Sequence, residues 1–343
     1  MNFLETLLWP LTLPFGAATR LRARAYQSGI LLQRRLDGIV ISVGNLTVGG
    51  TGKTPMVLWI AQRLIARGEK TGILTRGYGG QPFDTTTTSD EAQLLEARLG
   101  DRVAMGIGAN RWARGRELAA RGVRWFILDD GFQHLRLARD VDLVLIDATR
   151  PFGGGHLLPA GRLREPRSAL ARADLIVITR SSHAPAVEAM IRRESSRPIF
   201  YARMRLDSVH AWSGEYPGVE EPDARARRFF AFCGIGNPSA FLTDLAGEGF
   251  KIVGHKFFRD HHRYDERDAH WIEQAARQAG ADRLLCTEKD LFNLAGMGRP
   301  SIPVCYCRSS LHLEGEDEFW RAILLQAESR RHPSQDARES PLS

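Results

Sequence analysis

A glycine-rich stretch that contains a lysine and a threonine, residues 44–55, is the first part of the sequence whose residue types predict chemistry. Backbone N–H groups of such a loop, together with the N-terminus of the helix that follows, bind phosphate. The lysine reaches the β- and γ-phosphates, and the threonine hydroxyl is a ligand of Mg²⁺. Thr47 stands where a P-loop usually has its first glycine, but three later glycines still let the backbone curl around an anion. We therefore predict that ATP and Mg²⁺ bind here, to Thr47, Val48, Gly49, Gly50, Thr51, Gly52, Lys53 and Thr54.

Two carboxylates, Asp129 and Asp130, follow the apolar run Trp125–Leu128. A carboxylate at the C-terminal end of a parallel strand points into the ligand crevice of the sheet. In a P-loop protein this is where Mg²⁺ finds a second protein ligand. An Asp-Asp-Gly sequence by itself is as often a turn. Next to a P-loop it predicts that Asp129 and Asp130 bind the metal together with Thr54.

Short apolar runs alternate with helical patterns from Ile39 onward. The strands and helices that they predict must position the P-loop and the two carboxylates. Helical stretches such as Pro55–Ala66, Asp90–Leu99 and Arg111–Arg121 separate the runs. The order predicts an α/β fold, with a parallel P-loop sheet covered by helices on both faces. The predicted strands of this sheet are Ile39–Val43, Gly72–Leu74, Trp125–Leu128, Leu143–Ile146 and Leu175–Ile178.

A second set of apolar runs predicts a smaller second α/β domain. Its strands are predicted at Phe229–Phe232, Lys251–Val253, Leu284–Cys286 and Ile302–Tyr306. Ser, Pro and charged residues dilute the apolar pattern between the two sets, which favours a domain boundary there. The predicted divisions are an N-terminal segment 1–35, a kinase domain 36–190, a linker 191–225, a second domain 226–326 and a frayed polar tail 327–343.

The N-terminal segment is apolar up to Phe15 and is followed by the arginines Arg20, Arg22 and Arg24. The run is too short to cross a membrane and is broken by prolines. A signal peptide would carry its positive charge before the apolar run, not after it. The segment is therefore predicted to be amphipathic and to lie in an anionic membrane interface. The alternative is a helix packed on the protein's own core.

The composition is that of a globular protein, with 43% apolar and 25% charged residues. A formal charge of +7 suits nucleic acid, anionic lipid or a phosphorylated substrate. Since no nucleic-acid-binding signature accompanies this charge, we expect no nucleic-acid partner. The four cysteines form no CxxC pair and are expected to be reduced thiols.

Further blocks of the sequence carry a family resemblance, which extends from the region of Pro10 to that of Leu325. Together they resemble the tetraacyldisaccharide 4′-kinases of lipid A synthesis. The resemblance implies a monotopic enzyme, expected here as a monomer, at the cytoplasmic face of the bacterial inner membrane. Such an enzyme transfers phosphate from ATP to the 4′-hydroxyl of a lipid A disaccharide precursor. The blocks are Gly44–Pro55, Thr75–Gly80, Leu128–His134, Leu157–Pro166, Gly234–Pro238, Phe258–His262 and Thr287–Asp290.

The resemblance also implies roles for single residues. Asp90 would act as base on the acceptor hydroxyl, His261 would pair with it, and Glu91 would complete the acidic pair as a further metal ligand. Read without the family, Asp90 is equally well explained as a helix N-cap. The adjacent His262 leaves open which imidazole pairs with Asp90. The predicted catalytic residues are Asp90, His261 and Lys53. The residues implied to bind substrate are Arg76, Gln133, His134, Arg164 and Glu165.

Two other functions compete with this interpretation. The first is a P-loop ATPase or GTPase of the partitioning or metallochaperone class, without a lipid acceptor. Val48 stands where those proteins often carry a signature lysine, and Thr287–Asp290 lacks the spacing of a guanine-binding motif. The second is an adaptor that uses ATP to dock at a membrane surface. It would need no acceptor chemistry at Asp90 or His261.

Overall fold

The structure, a computed structural model, describes residues 3–77 and 89–331 of the chain. Its helices are α1 (Phe3–Leu8), α2 (Thr12–Gln27), α3 (Lys53–Ala66), α4 (Asp90–Leu99), α5 (Arg111–Ala120), α6 (Pro185–Arg192), α7 (Pro238–Gly247), α8 (Glu266–Gln278) and α9 (Glu316–Arg331). Its strands are β1 (Ile39–Asn45), β2 (Thr71–Thr75), β3 (Val103–Ile107), β4 (Trp125–Asp129), β5 (Val141–Asp147), β6 (Leu175–Thr179), β7 (Ile199–Ala211), β8 (Val219–Glu220), β9 (Arg228–Cys233), β10 (Lys251–Phe257), β11 (Arg283–Thr287) and β12 (Val304–Leu313).

The chain divides into two compact units that differ from a simple N-terminal and C-terminal half. Unit 1 comprises Met1–Arg76, Arg102–Arg203 and His312–Ser343, and unit 2 comprises Gly77–Asp101 and Met204–Leu311. Strands β7 and β12 each begin in one unit and end in the other. Helix α4, from the first third of the sequence, belongs to unit 2.

Unit 1 is built on a sheet with the strand order β7-β6-β5-β1-β4-β2-β3. Each of these neighbouring pairs is parallel. Leu118 of α5 packs with Val40 and Phe126 in one buried cluster on one face of the sheet. Ile41 and Ile127 alternate with these strand residues and are also fully buried, so the opposite face is covered too. The predicted P-loop sheet with helices on both faces is confirmed.

The sheet of unit 2 has the order β10-β9-β11-β12-β7. Strands β10, β9, β11 and β12 are parallel to one another. Trp212 and Val304 are hydrogen bonded at one end of the β7–β12 pair. Phe230, Phe232 and Ile272 form part of the core between this sheet and α8. Unit 2 is therefore a second α/β unit with its own apolar core.

Eight of the nine predicted strands lie entirely within observed strands, and Ile302–Tyr306 begins two residues before β12. The predicted linker 191–225 is the largest difference, because it contains β7, a strand of 13 residues. Part of β7 alternates apolar with charged residues, as a half-exposed strand does. That part therefore contains no continuous apolar run by which the sequence could predict it. Strand β3 was also absent from the prediction.

The predicted ends of the domains differ from the observed units as well. Residues 77–101 were assigned to the kinase domain, whereas they belong to unit 2. Helix α9 belongs to unit 1 and continues to Arg331, past the predicted start of the tail at residue 327. Its buried Phe319 packs against Trp59 of α3 with the two rings tilted, which explains why the C-terminal helix joins unit 1. Residues 332–343 of the predicted tail lie outside the described residues.

The N-terminal segment forms α1, a 3-10 turn and α2. Small residues of α2 are buried. Gly16 is one of them, and an added Cβ there would lie 2.8 Å from Leu157. Its large apolar side chains point outward, as shown by Leu13 at 64% and Leu21 at 70% exposure. Among the described helices, none is long and apolar enough to span a bilayer.

Candidate active site

The P-loop connects β1 to α3, as the sequence predicts. Gly52 precedes the first helical residue, Lys53, and has a φ of 88°, in the left-handed region that favours glycine. The ammonium of Lys53 lies 3.2 Å from Asn45 Oδ1 and 3.5 Å from Asp130 Oδ1. The hydroxyl of Thr51 is buried and has no hydrogen-bond partner among the described residues. The loop thus presents an ammonium, an unpaired hydroxyl and a helix N-terminus, which together suit a phosphate.

The segment 157–166, which contains Arg162 and Arg164, contacts the P-loop. The N–H of Val48 donates to the carbonyl of Arg162 at 2.8 Å, and Arg162 Nε donates to the carbonyl of Val48 at 3.0 Å. Thr47 and Leu163 form an antiparallel bridge. Thr47 stands where the P-loop pattern has its first glycine. Its backbone is held in place by the bridge to Leu163.

Asp129 and Asp130 lie at the end of β4, where they were predicted. The register pairs Asp129 with Val43, so the carboxylates stand beside the start of the P-loop. Thr75 Oγ1 donates to Asp129 at 3.2 Å, and Arg164 donates to Asp130 Oδ2 at 2.6 Å. Lys53 and Arg164 hold the pKa of Asp130 below its ordinary value, against a burial effect that raises it. Oδ1 of Asp130 accepts no hydrogen bond from the described residues.

Asp130 also has an unusual backbone, with a φ of 49°. Non-glycine residues in this region are uncommon, and they cluster at functional sites. The chain after Asp130 packs directly against Gly44, and this close contact keeps the backbone of Asp130 in its unusual conformation. A Cβ added to Gly44 would lie 2.5 Å from Phe132 Cβ.

The predicted substrate residues of unit 1 have different surroundings. Gln133 donates to the carbonyl of Asn45 at 3.0 Å and lies 3.4 Å from Arg164, so both side chains stand at the P-loop. Glu165 is buried instead in an ion pair with Arg172 at 2.8 Å, which gives it a structural partner. Arg76 follows β2 directly, at the carboxyl end of the sheet.

His134 lies among arginines. Arg111 Nη1 is 3.4 Å from His134 Nδ1, and Arg22 of α2 donates to the carbonyl of the preceding residue, Gln133, at 3.1 Å. Burial, together with the positive charges of four arginines, lowers the pKa of His134 to about 4; the arginines are Arg111, Arg139, Arg22 and Arg136. The imidazole is therefore neutral at pH 7 in a positively charged environment, which suits an anionic ligand.

Unit 2 contains the predicted base. Asp90 is the first residue of α4, its side chain is 3% exposed, and both its oxygens lie 2.9 Å from His261 Nδ1. Burial raises the pKa of Asp90, but the His261 hydrogen bond and the Lys289 charge outweigh it and hold the pKa at about 2. The same hydrogen bond raises the pKa of His261. The pair is thus a carboxylate that stays ionised and an imidazole that protonates more readily than usual.

The structure separates the two adjacent histidines that the sequence left open. His261 has a φ of 60° and turns its ring toward Asp90, while its N–H donates to the carbonyl of Gly234 at 3.0 Å. His262 points elsewhere and lies 2.7 Å from Asp268 of α8. The N-cap of α4 is Ser89, which accepts from Ala92 N, and Asp90 is therefore not the cap.

Glu91, predicted as a metal ligand, is 2.9 Å from the ammonium of Lys289. Asp90, Glu91 and His261 place ligand atoms within 4.8 Å of one another. Thr54, Asp129 and Asp130, the other predicted ligands, belong to unit 1. Sequence reasoning missed Asn45, Lys289 and Asn293. Lys289 and Asn293 follow the carboxyl end of β11, a position where functional side chains of parallel sheets are often found.

The parallel sheet, the loop after β1 and the acidic end of β4 define an α/β P-loop nucleotide-binding protein. Residues 4–328 match the family described as Tetraacyldisaccharide-1-P 4′-kinase, LpxK. The chain is 42% identical over 307 residues to the tetraacyldisaccharide 4′-kinase of Geobacter metallireducens, covering 84% of this chain and 88% of the relative. It is 38% identical over 340 residues to that of Anaeromyxobacter sp. strain Fw109-5, covering 92% and 91% of the two chains.

A solved structure is similar as well: the crystal structure of the "apo" form of LpxK from Aquifex aeolicus in complex with ATP. The TM-score is 0.70 at 27% sequence identity, and the match covers 94% of this chain and 99% of that one. The chain belongs to the tetraacyldisaccharide 4′-kinase family.

Proposed function

We propose that this protein is an ATP-dependent kinase that phosphorylates the 4′-hydroxyl of a tetraacyldisaccharide 1-phosphate, a lipid A precursor. Family membership supports the reaction, and relatives named for it match over most of both chains. The observation that carries the proposal is a P-loop in one unit and, in the other, a buried Asp90 whose carboxylate contacts the half-exposed His261. A P-loop ATPase of the partitioning or metallochaperone class gives no reason for that second site.

The nucleotide is assigned to unit 1, and the solved relative was crystallised with ATP. Lys53 is placed to neutralise charge on the β- and γ-phosphates, where negative charge is greatest during transfer. Thr51 and the backbone N–H groups at the start of α3 supply further donors. Asn45 and Asp130 hold Lys53 in place when they contact its ammonium.

Oxygen donors at the same place suit Mg²⁺, which prefers hydroxyl and carboxylate ligands. Thr54, Asp129 and Asp130 are the residues that would hold it. Oδ1 of Asp130 accepts no hydrogen bond from the described residues and has the Lys53 ammonium only at 3.5 Å, which leaves it able to bind a metal ion. The ion would neutralise the phosphate oxygens and orient them. Glu91 is less suited, because it is already paired with Lys289.

Unit 2 supplies the proton acceptor. As the 4′-oxygen forms its bond to the γ-phosphorus and the bond to the β–γ bridging oxygen breaks, the hydroxyl proton passes to Asp90, and ADP leaves. His261 donates from Nδ1 to the carboxylate and fixes its orientation.

The arginines around His134 support an acceptor that carries a phosphate. Four arginine charges act on this imidazole, and three of these residues, Arg22, Arg111 and Arg139, make contacts at His134 or its neighbour. Arginine binds phosphate through a planar fork of donors, so such a group suits a sugar 1-phosphate. Arg22 belongs to α2, which links this group to the N-terminal segment.

The N-terminal segment is assigned to the cytoplasmic face of the bacterial inner membrane. Helix α2 packs on unit 1 through small residues and leaves Leu13 and Leu21 outside, the reverse of a helix docked by its apolar side. Trp9 and Leu11 precede it and are 46% and 54% exposed. This arrangement favours the interfacial interpretation over the alternative of a helix packed on the protein's own core.

The reaction is tested with purified protein, γ-labelled ATP, Mg²⁺ and a tetraacyldisaccharide 1-phosphate in detergent. We expect label on the lipid, and loss of at least about 100-fold of the rate in Lys53→Met. Lys251→Met, on an exposed strand position, is the matched control and should keep the rate. ATP hydrolysis that proceeds equally without lipid, with no labelled lipid formed, would instead support the ATPase alternative.

The membrane assignment has its own test. Leu11, Leu13 and Leu21 are replaced together by serine, and binding to vesicles that contain anionic lipid is measured by co-sedimentation. A leucine that is fully buried contributes about 1.5–3 kcal/mol. Partial insertion of three therefore still predicts a loss of binding of more than about tenfold. Leu325→Ser on α9, a leucine with 66% exposure, is the control. Unchanged sedimentation of the triple variant would refute the assignment.

A further inference from the structure

Among the described residues, two side chains besides His261 contact the carboxylate of Asp90, and both come from the turn that follows β11. Asn293 Nδ2 donates to Asp90 Oδ2 at 3.1 Å. The ammonium of Lys289 lies 3.6 Å from the same oxygen. The N–H of Glu91 donates to the other oxygen at 3.0 Å. Both oxygens of this carboxylate therefore have fixed donors on unit 2 itself.

Lys289 is the centre of a charge cluster. Its ammonium lies 2.9 Å from Glu91 Oε1 and 3.5 Å from Asp260 Oδ1, in addition to Asp90. The three carboxylates repel one another, and the ammonium of Lys289 reduces this repulsion because it lies within 3.6 Å of each of them. Without that cation, Asp90 and Glu91, neighbours at the start of α4, would be driven apart.

The turn that carries these side chains is itself held firmly. Asp290 is fully buried and accepts hydrogen bonds from the N–H of Gly234 and the hydroxyl of Tyr264, both at 2.8 Å. Gly234 is also the residue whose carbonyl binds the N–H of His261. A single carboxylate thus ties the turn after β11 to the loop that presents His261.

Glu288, the residue before Lys289, contacts the C-terminal end of α4. Glu288 accepts two hydrogen bonds from Arg98 Nε and Nη2, at 2.8 and 2.5 Å. Arg98 lies two turns of helix after Asp90. The turn after β11 therefore contacts α4 at both ends, with Glu288 at its C-terminal end and Lys289 at its N-terminal end.

We propose that Lys289 and Asn293 are positioning residues for phosphoryl transfer: they orient the Asp90 carboxylate toward His261 and keep it from turning away under repulsion from Glu91. This inference rests on the proposed function, in which Asp90 accepts the proton. Neither side chain needs to touch the substrate. Their effect on the rate passes through Asp90.

The experiment compares steady-state kinetics of Lys289→Met, Lys289→Arg and Asn293→Ala with wild type, each also combined with Asp90→Asn. We expect Lys289→Met to lower kcat at least about tenfold while KM for ATP stays within about twofold, because the nucleotide site is on unit 1. Lys289→Arg keeps the charge and should recover part of the loss. Asn293→Ala should lower kcat in the same direction by a smaller factor, and it removes no charge, so it tests the inference if Lys289→Met folds poorly.

The combination with Asp90→Asn separates positioning from a general loss of structure. If the two side chains act through Asp90, the double variants should be no slower than Asp90→Asn alone. Losses that multiply, or a wild-type kcat in both Lys289→Met and Asn293→Ala, would overturn the inference. Failure of the proposed function looks different: Asp90→Asn would then transfer phosphate to the lipid at the wild-type rate. Lys251→Met serves again as the control for loss of a unit 2 lysine.

Discussion

Replacing Arg98 by methionine removes one member of a buried ion pair at the C-terminal end of α4. The side chains of Arg98 and Glu288 are 9% and 7% exposed, and the guanidinium makes a fork of hydrogen bonds to the carboxylate. Methionine keeps much of the apolar volume of the arginine stem. The variant therefore tests the charge and its hydrogen bonds instead of the packing.

The expected cost follows from what remains around Glu288. Removing one partner of a buried ion pair costs about 3–5 kcal/mol, because the other charge is left uncompensated. Glu288 still accepts a hydrogen bond from the hydroxyl of Tyr216 at 2.7 Å and has Arg308 at 3.6 Å. Because these contacts remain, we expect Arg98→Met to lower the free energy of unfolding by about 3 kcal/mol, the lower end of that range. The double variant Arg98→Met/Glu288→Met should cost less than the sum of the single variants by at least about 1.5 kcal/mol.

Urea unfolding of the wild type, the two single variants and the double variant measures these differences. Circular dichroism and tryptophan fluorescence should both be followed, since a protein of two units need not unfold in one step. Because Arg98 and Asp90 belong to the same helix, kcat should fall in Arg98→Met while KM for ATP is retained. A cost below about 1 kcal/mol for Arg98→Met, or strict additivity in the double variant, would refute the reasoning.

Three further outcomes follow from the site. Asp90 is ionised in the folded protein down to a pKa of about 2, below its ordinary value of 3.8, so its stabilisation is complete above about pH 4 and is lost as the pH falls from 4 toward 2. At about 1.4 kcal/mol per pH unit the total is about 2.5 kcal/mol, and in urea titrations the stability difference between wild type and Asp90→Asn should shrink over that range; a constant difference would contradict the shift. His261→Ala should lower kcat by about 10–100-fold, whereas His262→Ala should stay within about threefold in the same transfer assay; equal losses would remove the special role of His261. Gly44→Ala should cost about 1–3 kcal/mol in thermal unfolding and weaken nucleotide binding, because its Cβ would collide with Phe132; wild-type behaviour would show that the loop can shift.

Much of unit 1 could be predicted because its signals are local. The P-loop is one contiguous stretch, and the strand before it and the carboxylates after β4 follow from short-range patterns. The linker prediction failed at β7 because that strand is half exposed and alternates apolar with charged residues. A search for continuous apolar runs does not detect such a strand.

The site in unit 2 was only partly predictable, since its contacts join distant parts of the chain. Asp90 meets His261 across 171 residues and Asn293 across 203 residues. The family resemblance named Asp90 and His261, but it left open which of the two histidines is paired. Only the backbone of the loop decides this, because the φ of 60° at His261 sends its ring toward Asp90.

The assignment of α4 to unit 2 has a consequence for synthesis on the ribosome. The helix emerges early, yet its partner Asn293 lies 203 residues further along the chain. At about 5–20 residues per second this interval lasts about 10–40 s. During that time the first segments of unit 1 can already pair into a sheet, whereas α4 must wait without its anchoring contacts. Chains that terminate before the turn after β11 would therefore carry a P-loop without a supported base. They would also lack α9, whose Phe319 packs against Trp59 of the helix after the P-loop.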